Sequence, residues 1–175
     1  MKQTSFARRI LSAFLLVLTV VLSCTAFVSC SGGETPAGSG AGFSILMKGV
    51  EIKPDMNMSE VIKVLGSDYK ESHSSACPPF QGIERLCDFP ALQITTYADD
   101  GNDFVMSIFL KDDSTNVSGV KIGSTVDEMT AALGTDYTES AGTYTYTAEN
   151  GSTLKCIVKN GSVVSIRIVT GKAYS

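Results

Sequence analysis

The stretch LGSDYKES at residues 65–72 returns later in the chain as LGTDYTES at residues 133–140. Six of the eight positions are identical, and a seventh exchanges Ser for Thr. The match extends towards the amino terminus, where GVEI at residues 49–52 corresponds to GVKI at residues 119–122. Self-similarity of this kind indicates that one supersecondary unit occurs twice in the chain.

The residues before each octet predict a short helix. Asn57 and Thr125 stand where an N-cap belongs, and each has a Glu three residues later, the pattern of a capping box. Apolar residues then recur at helical spacing, and Gly66 and Gly134 supply a C-terminal stop. We expect two helices of about two to three turns each, which need packing to be stable.

After each helix the apolar pattern changes to the alternation that is typical of strands. In the second half, Asn160-Gly161 between two such runs is a strong signal for a hairpin turn. The predicted strands are residues 85–89, 92–97 and 104–110 in the first half and residues 143–147, 154–159 and 163–169 in the second.

These elements predict an α+β fold of two tandem repeats, each a helix plus a three-stranded antiparallel meander. Because one such unit buries little core, we expect the two to share one sheet, with both helices on a single face. The opposite face would be open to solvent or to a partner. The repeat units are assigned to residues 43–118 and 119–175, and residues 43–47 are expected to add an edge strand.

The amino terminus has the parts of a secretory signal. Lys2, Arg8 and Arg9 form a positive region, and an apolar run follows over residues 10–22. Two cysteines then stand behind small and apolar residues, a spacing that resembles the bacterial lipoprotein signal. The alternative is an uncleaved transmembrane helix over residues 10–28, which approaches the length that a bilayer needs.

The predicted lipidation site is Cys30, with Cys24 as the alternative. Residues 31–42 after Cys30 form a flexible Gly/Ser-rich tether, whereas Cys24 is followed by the apolar Phe27 and Val28. Residues 1–30 are therefore assigned as a lipoprotein signal peptide. The resemblance implies a diacylglyceryl anchor, whose two acyl chains hold a protein stably, on the outer face of the cell membrane.

Composition limits the partners that the folded part can have. Past Cys30 the chain keeps 11 of its 14 basic residues and all 18 acidic ones, a net charge of −7. Nucleic-acid binding is not expected, because phosphate contacts need a basic footprint. Adhesion to anionic lipid is disfavoured for the same reason, so membrane attachment is expected to depend on the acyl anchor.

Three further cysteines remain, namely Cys77, Cys87 and Cys156. Outside the cytoplasm disulfides persist, and an odd number of thiols allows at most one intramolecular bridge among them. Cys77 and Cys87 flank a short loop and are the favoured pair. A Cys87–Cys156 bridge and a fully reduced protein are the two alternatives.

Catalytic and metal-binding patterns are weak in this sequence. His73 and Cys77 lie together in a Ser/Pro-rich loop over residues 72–82, but a Cys/His nucleophile also needs held geometry and usually a third orienting group. The acidic turn at residues 99–103 lacks the spacing of a calcium-binding loop. We therefore predict no catalytic residue, no metal and no cofactor, and the chain is not expected to be an enzyme.

Tyr97, Tyr144 and Tyr146 are the candidate residues of a binding face. The alternation of side chains along a strand puts Tyr144 and Tyr146 on the same face of the sheet. If that face is exposed, the rings form an aromatic strip. The alternative is that the face packs beneath a helix and at least one of the rings belongs to the core.

The pattern Gly-x-x-Ile-Gly-Ser-Thr-x-x-Glu-x-x-x-x-Leu-Gly at residues 119–134 resembles the helix-start motif of the β-lactamase inhibitor protein-like superfamily. That superfamily includes tandem-repeat inhibitors and the SmpA/OmlA-type lipoprotein of outer-membrane barrel assembly. The middle of the chain, with Cys77 and residues 80–82, 95–97 and 111–114, also resembles tandem-repeat lipoproteins of anaerobic Gram-positive bacteria. The resemblance implies a helix-plus-sheet repeat that binds protein. The inhibitors carry a helix-loop-helix in each repeat, whereas one helix per unit is predicted here.

The predicted function is that of a membrane-anchored extracytoplasmic lipoprotein whose non-catalytic domain binds another envelope or secreted protein. The alternative is a small-ligand or ion-sensing envelope module that uses the loop at residues 72–82 and the acidic turns. An apolar or aromatic patch exposed on the sheet would favour protein binding. A closed pocket with convergent polar groups would favour the sensing module.

Overall fold

The structure is a computed structural model that describes residues 42–174. The predicted signal peptide, the tether up to residue 41 and both candidate lipidation sites, Cys24 and Cys30, lie outside the described residues. Within them the chain forms two α-helices, α1 (Met58–Leu65) and α2 (Val126–Leu133), and a final 3-10 turn (Gly171–Tyr174). The ten strands are β1 (Ile45–Met47), β2 (Val50–Ile52), β3 (Lys70–Ser75), β4 (Ile83–Asp88), β5 (Leu92–Asp99), β6 (Asn102–Leu110), β7 (Thr138–Ser140), β8 (Thr143–Thr147), β9 (Thr153–Lys159) and β10 (Ser162–Val169).

Eight of these strands form one antiparallel sheet in the order β3-β4-β5-β6-β10-β9-β8-β7. The order places β6 and β10 side by side at the centre and leaves β3 and β7 at the two edges. The strands β1 and β2 form a separate two-stranded sheet. The predicted edge strand at residues 43–47 therefore does not join the large sheet.

The predicted fold class is wrong. Each helix is followed by four strands instead of three, and the described chain is mostly one large antiparallel sheet with two short helices, not two helix-plus-meander repeats. The strands that the sequence pattern did not indicate are β3 and β7. All of their side chains are exposed, so no apolar alternation marks them. They are held by backbone pairing to β4 and β8.

Both predicted helix starts are confirmed, but of the two predicted capping boxes only the one before α2 is formed. Before α1 the side chain of Asn57 accepts a hydrogen bond from the backbone N–H of Ser59 at 2.9 Å. Before α2 the capping box is complete, with Thr125 accepting from the Glu128 N–H at 3.2 Å and the Glu128 carboxylate accepting from the Thr125 N–H at 2.8 Å. These bonds satisfy backbone donors that the first helical turn leaves unpaired.

Both helices end at the predicted glycine. Gly66 and Gly134 adopt φ angles of 91° and 85°, and this positive-φ conformation causes little steric strain in a residue that has no Cβ atom. Their N–H groups donate to the carbonyls of Ile62 and Thr130 at 2.8 and 2.9 Å. Each octet therefore begins with the last residue of a helix and its glycine stop, and it continues into an edge strand.

The core lies against one face of the large sheet. A single row of facing residues crosses six strands, and every member is buried: Cys87, Ile94, Ile108, Ile168, Leu154 and Tyr146. The same cluster includes Met58 and Val61 of α1 and Met129 and Leu133 of α2. Burial of these apolar side chains is the main source of stability for helices this short.

Of the residues that the structure describes, no helix has the length and apolarity needed to cross a membrane. The two α-helices have eight residues each. At 1.5 Å per residue each extends about 12 Å, well under the thickness of a bilayer core.

Replacing Leu154 in the buried row tests the position of the core. Leu154→Ala should lower the free energy of unfolding by about 2–5 kcal/mol, because it leaves a cavity that its neighbours fill only in part. Leu46→Ala removes the same atoms from a side chain on β1 that is 68% exposed, and should cost less than about 0.5 kcal/mol. Urea denaturation of both variants measures the difference, and equal losses would contradict this placement.

Candidate binding face

The structure separates the three tyrosines that were predicted to form a binding face. Tyr144 and Tyr146 share a face of β8, as predicted, but they pair with the buried Cys156 and Leu154 and therefore lie on the core side. Tyr146 is only 2% exposed, and burial raises the pKa of its hydroxyl to about 12. Tyr97 lies on the opposite face. The three rings therefore do not form one exposed strip.

Tyr97 reaches the opposite face because side chains alternate along β5. Ile94 and Thr96 are fully buried on the core side, so Thr95 and Tyr97 project the other way. On β6 the facing residue of Tyr97 is Phe104, whose ring centroid lies 5.7 Å from that of Tyr97. We call the surface opposite the core the open face.

A polar cluster around Tyr97 closes one end of the open face. The Tyr97 hydroxyl donates to Oδ1 of Asp55 at 2.7 Å and accepts from Nζ of Lys172 at 2.8 Å. The Thr170 hydroxyl lies 2.9 Å from both carboxylate oxygens of Asp55. Phe80, from the loop between β3 and β4, stacks on the ring at 4.7 Å. These neighbours leave Tyr97 2% exposed, and burial raises the pKa of its hydroxyl.

The middle of the open face is a row of facing residues across five strands. In order from β5 to β8 the row consists of Gln93, Phe109, Arg167, Lys155 and Thr145. The Arg167 guanidinium carbon lies 5.3 Å from the centroid of the Phe109 ring, within the range of a cation–π interaction. The ring therefore helps to hold the guanidinium against the sheet.

A depression of about 310 Å³ lies beside this row, and its lining residues are Thr143, Lys155, Ile157, Ser165 and Arg167. Ile157 is 37% exposed although it is apolar. The strand β10 carries a bulge between Val163 and Ser165 at this point. A bulge bends its strand and re-aims nearby side chains, which accounts for an irregular surface on an otherwise regular sheet.

The charge on this part of the open face is one-sided. The described open-face positions of β8, β9 and β10 include three cations, Lys155, Lys159 and Arg167, and no carboxylate. The first carboxylate along the central row is Asp88 on β4, three strands and so about 14 Å from Arg167. The Asp88 carboxylate is already engaged by Lys111 at 2.8 Å.

A second charged cluster, which the sequence reasoning did not find, lies on the core side of the sheet beside the start of α1. Arg85 donates to Glu71 at 2.7 Å and also pairs with Asp103 of the acidic turn. His73 contacts Glu71 at 3.0 Å, and the structure does not pair it with Cys77. No local sequence pattern could indicate this cluster, because its residues come from three strands, β3, β4 and β6, that are brought close only in the folded sheet.

The structure keeps Cys77 and Cys87 apart as free thiols. Cys87 faces Glu71 across the β3–β4 ladder, and Cys77 lies beyond Ser75 at the far end of β3. The two cysteines are therefore separated by at least about 13 Å along the strands. A disulfide requires Cα atoms within about 7 Å, so the predicted bridge is not formed.

The alternative bridge fails for a related reason. Cys87 and Cys156 both face the core, but β5, β6 and β10 lie between their strands. The separation is about 19 Å, since neighbouring strands are about 4.8 Å apart. Burial raises the pKa of Cys87 to about 11 and that of Cys156 to about 12, which keeps both thiols protonated at neutral pH.

Thiol labelling tests this arrangement. In the native protein Cys77 should react with iodoacetamide at least about a hundredfold faster than Cys87 or Cys156, because only an exposed thiol can form and present its thiolate. In denaturant all three should react alike. Peptide mass spectrometry gives the rate at each residue. A peptide pair linked through Cys77 and Cys87 would contradict the observed strand register.

The Glu71–Arg85 pair predicts a pH dependence. Hydrogen bonds from Arg85 lower the pKa of Glu71 below its ordinary value of 4.5, so the ionised carboxylate stabilises the fold above that pH. The stabilisation is lost as pH falls through the folded-state pKa. Because the pair is partly exposed, the amount is at most about 1 kcal/mol.

Urea titrations at neutral and acidic pH measure this effect. The stability advantage of the wild type over Glu71→Gln should shrink as the pH falls below the unfolded-state pKa of Glu71. In the Arg85→Gln background, which is the matched control, the pH-dependent effect of Glu71→Gln should be smaller, because only the contacts of Glu71 with His73 and Tyr69 then lower its pKa. A difference that is constant with pH would show that Arg85 does not act on Glu71.

The chain matches no protein-family model, no curated protein and no solved structure. The class of molecule is therefore defined by the fold itself, an antiparallel sheet with one face closed over a core and the other face open. The open face carries an apolar side chain, hydroxyls and cations around a shallow depression. Within the described residues no group of His, Cys, Asp and Glu is placed to hold a metal ion.

Proposed function

We propose that this chain is a non-catalytic binding protein whose open face contacts another envelope or secreted protein. The observation that supports this most is the depression on β8, β9 and β10, where the exposed Ile157 lies among Lys155, Arg167 and two hydroxyl side chains. A small apolar centre within a polar surround is the usual arrangement of a protein interface.

The exposed part of the open face is smaller than the whole sheet. The cluster around Tyr97 closes one end, and the neighbouring open-face residues Ser107, Val169 and Thr153 are buried. The depression lies in the exposed part, on β8, β9 and β10, and has room for one or two side chains of a partner.

The sequence of the amino terminus supports a location at the outer face of the cell membrane. Residues 1–30 carry the features of a lipoprotein signal, with Cys30, or alternatively Cys24, as the lipidated residue. A tether of about twelve residues has an end-to-end span of roughly 20 Å. The folded part then stays close to the outer surface of the membrane, where other envelope proteins are concentrated.

The resemblance of residues 119–134 to the β-lactamase inhibitor protein-like superfamily supports the same class of function by analogy. The resembling residues include the start of α2, where Thr125 and Glu128 form the capping box. No segment of this chain matches an inhibitor contact loop. We therefore propose protein binding, and not the inhibition of a β-lactamase.

The alternative, a small-ligand or ion-sensing module, has less support from the geometry. It would use the loop at residues 72–82 and the acidic turn at residues 99–103. Phe80 of that loop is packed on Tyr97, and Asp103 of the turn is paired with Arg85. Both features are thus part of the fold's own contacts.

Photo-crosslinking in the producing cell tests the proposal. A benzoylphenylalanine at position 157 should give a defined crosslinked protein product when the anchored chain is irradiated. The same group at position 46 is on the separate two-stranded sheet, outside the open face, and should give no defined product. The product should also weaken with Cys30→Ala, which releases the chain from the membrane. No product at position 157 would count against the proposed function.

A further inference from the structure

The open face carries positively charged side chains although the protein as a whole is negatively charged. The chain past Cys30 has a net charge of −7, yet the described open-face positions of β8, β9 and β10 hold three cations and no carboxylate. Among the residues that the structure describes, Arg167 forms no ion pair and contacts the Phe109 ring instead. An acidic protein therefore presents a cationic surface at one defined place.

The spacing of these cations is regular. Lys155, Ile157 and Lys159 alternate along β9, so they lie about 7 Å apart on one face. Arg167 faces Lys155 directly across the β9–β10 ladder. The cations thus lie on both sides of Ile157, the apolar residue of the depression.

We propose that the open face binds an acidic segment of its partner protein, with carboxylates against Lys159 and Arg167 and one apolar side chain against Ile157. This inference rests on the proposed function and names the chemistry of the partner. A guanidinium presents a planar fork of donors that matches a carboxylate in a bidentate pair. Phe109 holds the Arg167 guanidinium at the sheet surface before any partner binds.

Charge also explains why a protein is favoured over an anionic membrane as the occupant. The whole chain would be repelled by anionic lipid because of its net charge, whereas a local acidic segment meets only the cations of the open face. A lipid surface would also leave the depression of about 310 Å³ unfilled. A protruding side chain of a protein segment fills it.

Charge reversal within the crosslinking experiment tests this inference. Lys159→Glu with Arg167→Glu should reduce the product at position 157 at least about tenfold, because like charges then oppose the acidic segment. Lys48→Glu with Lys63→Glu changes the net charge by the same amount on the side of α1, away from the open face, and should leave the product unchanged. Lys159→Arg with Arg167→Lys keeps the charges and should retain most of it. Circular dichroism melts confirm that each variant folds.

The outcomes separate this inference from the proposed function. If the charge-reversed face gives as much product as the wild type, the acidic partner is excluded while protein binding at the open face stands. If position 157 gives no protein product in any variant, the proposed function fails. Mass spectrometry of the crosslinked peptide should place Asp or Glu residues beside the attachment point. A crosslink to phosphatidylglycerol in place of protein would overturn the inference in favour of a membrane surface.

Discussion

The pairing of β6 with β10 is the contact on which the rest of the structure depends. Three residue pairs, Ser107–Val169, Ile108–Ile168 and Phe109–Arg167, join the two halves of the large sheet. The middle pair completes the buried row, whereas the outer pairs contribute to the open face. Without this ladder each half would have four strands and one helix of eight residues, which bury little apolar surface. The core and the open face therefore depend on the same few backbone hydrogen bonds.

The open face illustrates how charge can be local in a folded chain. Its cations come from β9 and β10, whose residues facing the core are apolar. Strand alternation separates the two kinds of side chain with a period of two, so a strongly apolar core and a cationic surface share the same short segments. The overall composition does not reveal this separation, because the net charge of the chain is negative whereas this surface is positively charged.

The parts of the fold that could be predicted are those with local signals. The capping residues Asn57 and Thr125, the glycine stops and the Asn160-Gly161 hairpin each depend on a few neighbouring residues, and each is found as predicted.

The edge strands β3 and β7 could not be predicted in this way. They have only polar exposed side chains, so their conformation comes from pairing with the neighbouring strand. The sequence left two alternatives for Tyr144 and Tyr146, an exposed face or the core, because the face that their rings occupy is decided by α2 and the core and not by the spacing of the tyrosines. The register that separates Cys77 from Cys87, and the clustering of Arg85 with Glu71 and Asp103, are likewise products of strand pairing.

The position of β10 has a consequence for the way the protein folds. It is the last strand of the described residues but lies at the centre of the sheet, and its partner residues in β6 are about sixty positions earlier. Non-local pairing of this kind is slow to form. Until β10 has formed, β6 has an unpaired edge, which is the kind of edge that associates with other chains. Completing the sheet thus depends on residues 162–169, and the edge of β6 is protected from association only once β10 has paired with it.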